Sequence, residues 1–382
     1  MQLEHFDAAA FLRDHWQKKP LLIRNPWKSW INPVEPDELA GLACEEEVEA
    51  RLIRRTRASW KVEHGPFLES RFARLGKKEW TLLVQAVDHH VPEVAALLEP
   101  FRFIPNWRVD DVMVSYATDG GGVGPHFDQY DVFLVQGSGR RRWQTGAVCG
   151  PATPLLPHDD LRLLAYFEAT DEWILEPGDI LYVPPRFAHN GIAVGDDCMT
   201  YSIGFRAPLR SELIAHWCDH LLGDLQNDDR YDDPDLQIQH NPGEISPQAL
   251  ARLHAMVSEK MLDGRAFAQW FGHYNSTPKY ADMDWQPEEA IQIDELRALA
   301  ADDVALRRNP ASRFSFIRQG THAIWFFVDG NCFECRDETA MFAERLCTQE
   351  PLNVNAALSK SDAAMDMITK LLNQGSLALG EV

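Results

Sequence analysis

The chain has 382 residues, with 37 Lys and Arg against 58 Asp and Glu, giving a formal net charge of −21 at neutral pH. Its 45% apolar content, with 12 Trp, 19 Phe and 8 Tyr, excludes a disordered chain and predicts two or three packed domains. No run of about 18 apolar residues occurs, so no membrane span is expected, and the acidic balance disfavours direct nucleic-acid binding while favouring a basic partner. The first residues, MQLEHFDAAAFLRDHW, lack a basic stretch followed by an apolar core, and seven cysteines make an odd, thinly spread set. Both features predict reduced thiols in a cytoplasm.

In chain order, residues 6–16 carry Phe6, Ala10, Phe11 and Trp16 in a helical rhythm, and KKPLLIRNP (18–26) reads as a short strand between prolines. From about 100 to 207 the pattern becomes short strands separated by Gly and Pro: 109–117, 130–137, 141–146, 172–184 and 199–207. Many short β-branched and aromatic runs with turn chemistry between them predict a sandwich or barrel. Helices follow. Residues 211–225 place Leu213, Ile214, Trp217, Cys218, Leu221 and Leu222 on one broad face, and Ser246-Pro247 opens a capped helix running to Met261. Between them, 227–235 is an acidic loop. The last region predicts helices at 287–297, 338–347 and 361–372 around strands 313–317 and 323–328, a compact winged-helix-like module.

Chemistry concentrates in GGGVGPHFDQYDVFLVQGSGRRRW (120–143). His126 and Asp128 are two apart, so on an extended strand both side chains point to one face. His189, in PPRFAHNG after the strand ILYVP and the turn Glu176-Pro177-Gly178-Asp179, is the best candidate for a third ligand. Two histidines and a carboxylate on one side of a metal form the facial triad of non-haem Fe(II) oxygenases, with positions open for co-substrate and oxygen. Alone, His-x-Asp is a weak signal that any acidic protein produces by chance. The cluster Arg140-Arg141-Arg142 on the next strand, suited to a dianionic co-substrate, strengthens it, as do glycines 120–122, which let backbone approach closely.

Taken together, HFDQYDVFLVQGSGRRRW, EPGDILYVPPRFAHNG and MTYSIGFRAP closely resemble the JmjC-type 2-oxoglutarate oxygenases, specifically the bacterial ribosomal oxygenases. The resemblance implies a mixed α and β fold. An oxygenase domain with a JmjC/cupin double-stranded β-helix barrel spans 1–210 (flank 1–99, barrel core 100–207). A helical dimerisation region follows at 211–275, then a winged-helix-like domain at 276–382. It implies Fe(II), 2-oxoglutarate and O2, with His126, Asp128 and His189 as the metal triad and Arg141 on the distal carboxylate of 2-oxoglutarate. Strand alternation agrees, placing Arg140 and Arg142 opposite Arg141, although sequence alone leaves all three open. Ser202 and Tyr116 are further co-substrate candidates. The implied reaction is β-carbon hydroxylation of an arginine in a basic large-subunit ribosomal protein, by a homodimer. Asp119, before the glycine run, is the candidate acceptor for the substrate guanidinium, its alternative being a turn residue.

Two rival functions remain distinguishable. A non-catalytic metal-binding cupin would keep the triad without needing Arg141, and a JmjC oxygenase of another specificity would hydroxylate histidine or demethylate N-methyl-lysine. Cys332-x-x-Cys335 lacks a second pair to complete a zinc site, and His216 and His220 sit beside packing residues; all four read as structural. The winged-helix region is not locally basic, which favours a protein–protein role over nucleic-acid reading.

Overall fold

The computed structural model describes residues 3–56, 59–77, 79–225, 229–280, 282–348, 352–355 and 358–380. It divides into two units, Met1–Ala207 with Asn309–Ala311, and Pro208–Arg308 with Ser312–Val382.

The first unit opens with α1 (Ala8–Asp14), whose N-terminal turn is capped by Asp7 accepting from the Ala10 N–H at 2.9 Å, and β1 (Leu21–Ile23). Then come α2 (Pro36–Leu42), β2 (Ala50–Arg55), β3 (Trp60–His64), α3 (Glu69–Phe72), β4 (Trp80–Val84) and α4 (Pro92–Ala95). The barrel strands are β5 (Val109–Ala117), β6 (Asp131–Ser138), β7 (Arg141–Val148), β8 (Ala169–Leu175), β9 (Ile180–Val183), β10 (Phe187–Ala193) and β11 (Cys198–Phe205). The stretch 172–184 divides into β8 and β9 at the expected Glu176-Pro177-Gly178-Asp179 turn, where Gly178 sits at φ +90.

An eight-stranded sheet in the order β1-β9-β6-β11-β5-β4-β2-β3 faces a three-stranded sheet, β10-β7-β8. Strand alternation divides the apolar residues between two cores. Val132, Leu134, Trp143, Leu175, Leu181 and Val183 turn inward and pack across both sheets. Phe133, Val135, Tyr182, Tyr201 and Phe205 turn outward onto Phe11, Trp27, Val34 and Leu39 of the N-terminal segments. The double-stranded β-helix expected from the sequence is therefore held from outside by its own flank. One segment closes the barrel without being a regular strand. Residues 120–126 run against β10, with mutual N–H···O bonds between His126 and His189 of 3.0 and 2.8 Å. A Cβ at Gly122 would overlap the Gly191 carbonyl oxygen, so the predicted close approach at the glycine run is what the backbone does there.

The second unit contains α5 (Arg210–Asp224), α6 (Pro247–Met261), α7 (Gly264–Ser276), α8 (Ile293–Leu299), β12 (Val304–Arg308), β13 (Phe314–Arg318), β14 (Ala323–Val328), β15 (Asn331–Arg336), α9 (Asp337–Cys347), β16 (Leu352–Val354), α10 (Asp362–Asn373) and β17 (Leu377–Leu379). Two three-stranded sheets, β16-β12-β17 and β13-β14-β15, enclose a core that includes Leu306, Phe326, Leu346, Met365 and Ile368. The helix expected over 287–297 starts at Ile293 instead. Asn373 bonds both the N–H and the carbonyl of Ile291, at 2.9 and 3.0 Å, and fixes that backbone outside the helix. Helix α7 packs on the opposite face of β14 from this core: a Cβ at Gly272 would overlap the Phe327 ring, and His273 Nδ1 donates to the Gly330 carbonyl at 2.8 Å. Residues 227 and 228 of the acidic loop lie outside the described residues.

Candidate metal and co-substrate site

The structure brings His126, Asp128 and His189 together. Their ligand atoms all lie within 4.8 Å of one another, the one such group of three among the described residues. His189 Nε2 is 3.5 Å from Asp128 Oδ2, His126 Nε2 is 3.9 Å from the same oxygen, and the imidazole centroids are 4.3 Å apart. His126 Nδ1 lies 2.9 Å from the Gly124 carbonyl, and His189 Nδ1 lies 2.9 Å from the Phe187 carbonyl. A carbonyl only accepts, so each Nδ1 carries the proton and each Nε2 presents its lone pair to the centre, as a metal requires.

Burial, then the neighbouring His126, push the His189 pKa down to about 4, with Asp128 opposing. His189 is thus neutral, the ligating form, across physiological pH. Between about 4 and the ordinary histidine value the unfolded chain binds a proton that the folded chain does not. Metal-free protein is therefore expected to keep this contribution above pH 6.5 and lose it progressively as pH falls toward 4. Thermal melts across that range check this, and His189→Asn should flatten the profile.

Arg141 lies on the inner face of β7, 4% exposed, with Nε donating to Cys198 Sγ at 3.4 Å and Nη2 buried without a hydrogen-bond partner among the described residues. A buried guanidinium with a donor unused is costly unless an anion meets it, so the pocket fits a carboxylate. Arg142 is half-buried on the opposite face and Arg140 is exposed. Ser202 is half-buried on the inner face of β11, registered between Leu134 and Met113.

Two candidates from the sequence need correction. Tyr116 faces outward: it packs against the outer core, lies tilted against Trp80 with ring centroids 5.4 Å apart, and donates its hydroxyl to Asp197 at 3.0 Å, because its strand parity is that of Val112 and Val114. It does not reach the barrel interior. Asp119 accepts from the Gly195 N–H at 3.0 Å, beyond the end of β10, whereas His189 lies near the start of that strand. Four residues of strand between His189 and Ala193 already separate the two levels by about 13 Å. Asp119 ties down a turn and is not at the metal end.

Acidic residues at the metal end carried no motif and were missed. Asp128 first, then burial, Asp111 and Asp110 raise the Tyr130 hydroxyl pKa well above its ordinary value, with Arg51 opposing. Asp111 is 3% exposed and accepts from Gln85 Nε2 at 2.7 Å. A Cβ at Gly204 would stand 3.9 Å from both Asp111 Oδ1 and Asp110 Cβ, so the missing side chain leaves space in front of them. The structural readings elsewhere agree with the contacts: His216 packs on Tyr274, His220 on Trp217, and Cys335 points at Met367 Sδ, 3.6 Å away.

Comparison with known proteins places this geometry. A JmjC domain model matches residues 96–213, and a ROXA-like winged-helix model matches 259–378. The chain is 45% identical over 298 residues to the ribosomal protein uL16 3-hydroxylase of Escherichia coli K12, covering 78% of this chain and 79% of the relative. It is 37% identical over 320 residues to a probable ribosomal oxygenase of Haemophilus influenzae, covering 79% and 76%. Among solved structures, YcfD, a ribosomal oxygenase from E. coli in complex with cobalt and 2-oxoglutarate, aligns with TM-score 0.86 at 36% identity over 100% of this chain and 99% of that one. An X-ray structure of E. coli ycfD aligns with TM-score 0.90 at 36% identity, over all of both chains.

Proposed function

Because this chain belongs to the JmjC-domain ribosomal oxygenases, we propose that it is an Fe(II)- and 2-oxoglutarate-dependent dioxygenase that hydroxylates the β-carbon of an arginine in a basic large-subunit ribosomal protein. The observation that carries this reading is one inner wall holding both His126–Asp128–His189 and the buried, incompletely paired Arg141. A metal centre and an anion anchor in one barrel suit the two ends of a dicarboxylate. A cupin that only stores metal has no use for the second.

When bound, Fe(II), 2-oxoglutarate and O2 supply the oxidising power, yielding succinate, carbon dioxide and one oxygen atom on the substrate. The protein's part is positioning. His126, Asp128 and His189 hold three sites on one side, and Arg141, forked and permanently charged, grips the distal carboxylate. Leu134, Leu181 and Val183 make the barrel interior apolar. Asp111, held by Gln85, and the adjacent Asp110 accept the arginine guanidinium at the metal end, the role first assigned to Asp119. Asp111→Asn should raise substrate KM by about tenfold or more, as expected for a lost charge-assisted hydrogen bond, and leave the KM for 2-oxoglutarate unchanged. Equal substrate KM in the variant would remove Asp111 from recognition.

The direct test is mass spectrometry of ribosomal proteins from cells with and without the enzyme. One added oxygen on an arginine of a large-subunit protein is expected. The same mass on histidine, or loss of methyl from lysine, would favour the other JmjC specificities. A homodimer in the cytoplasm completes the reading: α5 and α6 leave Ile214, Leu222, Leu250 and Val257 between 52% and 65% exposed, an apolar stripe suited to a second copy. Light scattering giving 43.5 kDa, the mass of one chain, would overturn the dimer.

A further inference from the structure

The inner face of β7 carries Arg141, Trp143 and Thr145 at alternate positions, and each has a buried polar atom without a partner among the described residues: Arg141 Nη2, Trp143 Nε1 and Thr145 Oγ1. Thr145 is 1% exposed and stands directly across from His189 in the β7–β10 register. The backbone N–H and carbonyl of His189 are both spent on His126, on the other side of β10. The His189–Thr145 pair is therefore of the non-hydrogen-bonded kind, in which facing side chains come closest, with Cα atoms about 4.5 Å apart. His189 thus has His126 on one flank and the Thr145 hydroxyl on the other.

A buried hydroxyl without a partner destabilises the fold that holds it, and valine would fill nearly the same volume without that cost. Thr145 lies four residues from Arg141, about 13 Å along the strand, a gap that an extended guanidinium and a five-carbon diacid together span. Resting on the 2-oxoglutarate reading above, we propose that the Thr145 hydroxyl donates a hydrogen bond to the 2-oxo-acid end of 2-oxoglutarate, so that one face of β7 grips the co-substrate at both ends. Arg141 selects the distal carboxylate, and Thr145 fixes the rotation of the end beside His189.

The test uses the full-length chain with Fe(II), without oxygen, titrated with 2-oxoglutarate and followed by the charge-transfer absorption of the chelated metal. Thr145→Val is expected to weaken 2-oxoglutarate binding about tenfold or more, the loss typical of a hydrogen bond to a charged group, and to shift the absorption band. Its melting temperature without metal and co-substrate should equal or exceed that of the unaltered protein. Thr145→Ser should restore both affinity and band position. Should valine lower the melting temperature, Thr145→Ala against Thr145→Ser gives the same comparison. Unchanged affinity and an unshifted band in a folded hydroxyl-free variant overturn the proposal. No charge-transfer signal in the unaltered protein would instead remove the 2-oxoglutarate reading, and this inference with it.

Discussion

Asp128→Ala is expected to reduce hydroxylation by well over a hundredfold while leaving the fold in place. Removing a mere outer partner of a metal ligand commonly costs about 10- to 100-fold, and Asp128 supplies one of only three ligand groups in the cluster. It also supplies the only negative charge at the centre of that cluster, set against two imidazoles that must stay neutral to bind. The fold should tolerate the change because the carboxylate is not sealed in: its side chain is 23% exposed, so alanine leaves neither a large cavity nor a stranded buried charge. The Asp128 backbone carbonyl, which accepts from the Arg186 N–H at 2.6 Å, is untouched by the substitution. Metal content per chain, measured beside turnover of a ribosomal peptide, separates loss of metal from misfolding. Hydroxylation and metal content both near those of the unaltered protein would take Asp128 out of the triad.

What the sequence revealed follows the range over which each signal acts. The His126–Asp128 pair and Arg141 were legible because side-chain alternation is local: on extended backbone, residues two apart share a face even where, as at His126, the chain makes only an isolated bridge. His189 could be read from its turn and strand, since a small barrel returns the chain to the same rim. Tyr116 was misassigned because a hydroxyl on a barrel strand gives no clue to its parity until the core is known; its neighbours Val112 and Val114 belong to the outer core shared with the N-terminal flank. Asp119 was misassigned for a different reason. Closeness in sequence to His126 was taken as closeness in space, yet residues 120–126 run extended along β10 and carry the two ends far apart. Asp110 and Asp111 could not be singled out because the space in front of them is set by Gly204, on a strand nearly a hundred residues away. In the second unit, the late start of α8 shows a tertiary contact, Asn373 on Ile291, overriding the local pattern that predicted a helix from 287.

Arg141 gives the second large expectation, in which binding and stability move in opposite directions. Replacing a buried charge by an apolar residue of similar volume is often neutral or stabilising, because the desolvated ion no longer has to be accommodated. In this barrel the guanidinium is 4% exposed, its Nε donates to a thiol and its Nη2 has no partner among the described residues, so Arg141→Met should raise the melting temperature of the metal-free protein. The same change removes the counter-charge of a buried carboxylate, a loss of about 3–5 kcal/mol, or roughly two to four orders of magnitude in affinity for 2-oxoglutarate. Arg141→Lys should fall between the two. It restores the charge but presents a point in place of a fork, and its shorter reach loses one of the two parallel hydrogen bonds. Turnover at saturating co-substrate should survive best in the lysine variant, because the three metal-binding side chains are unchanged. The comparison also separates the three adjacent arginines, since Arg140→Met and Arg142→Met alter side chains outside the barrel interior and should leave co-substrate affinity intact. An Arg141→Met protein that melts higher yet binds 2-oxoglutarate as tightly as before would show that the distal carboxylate is held elsewhere.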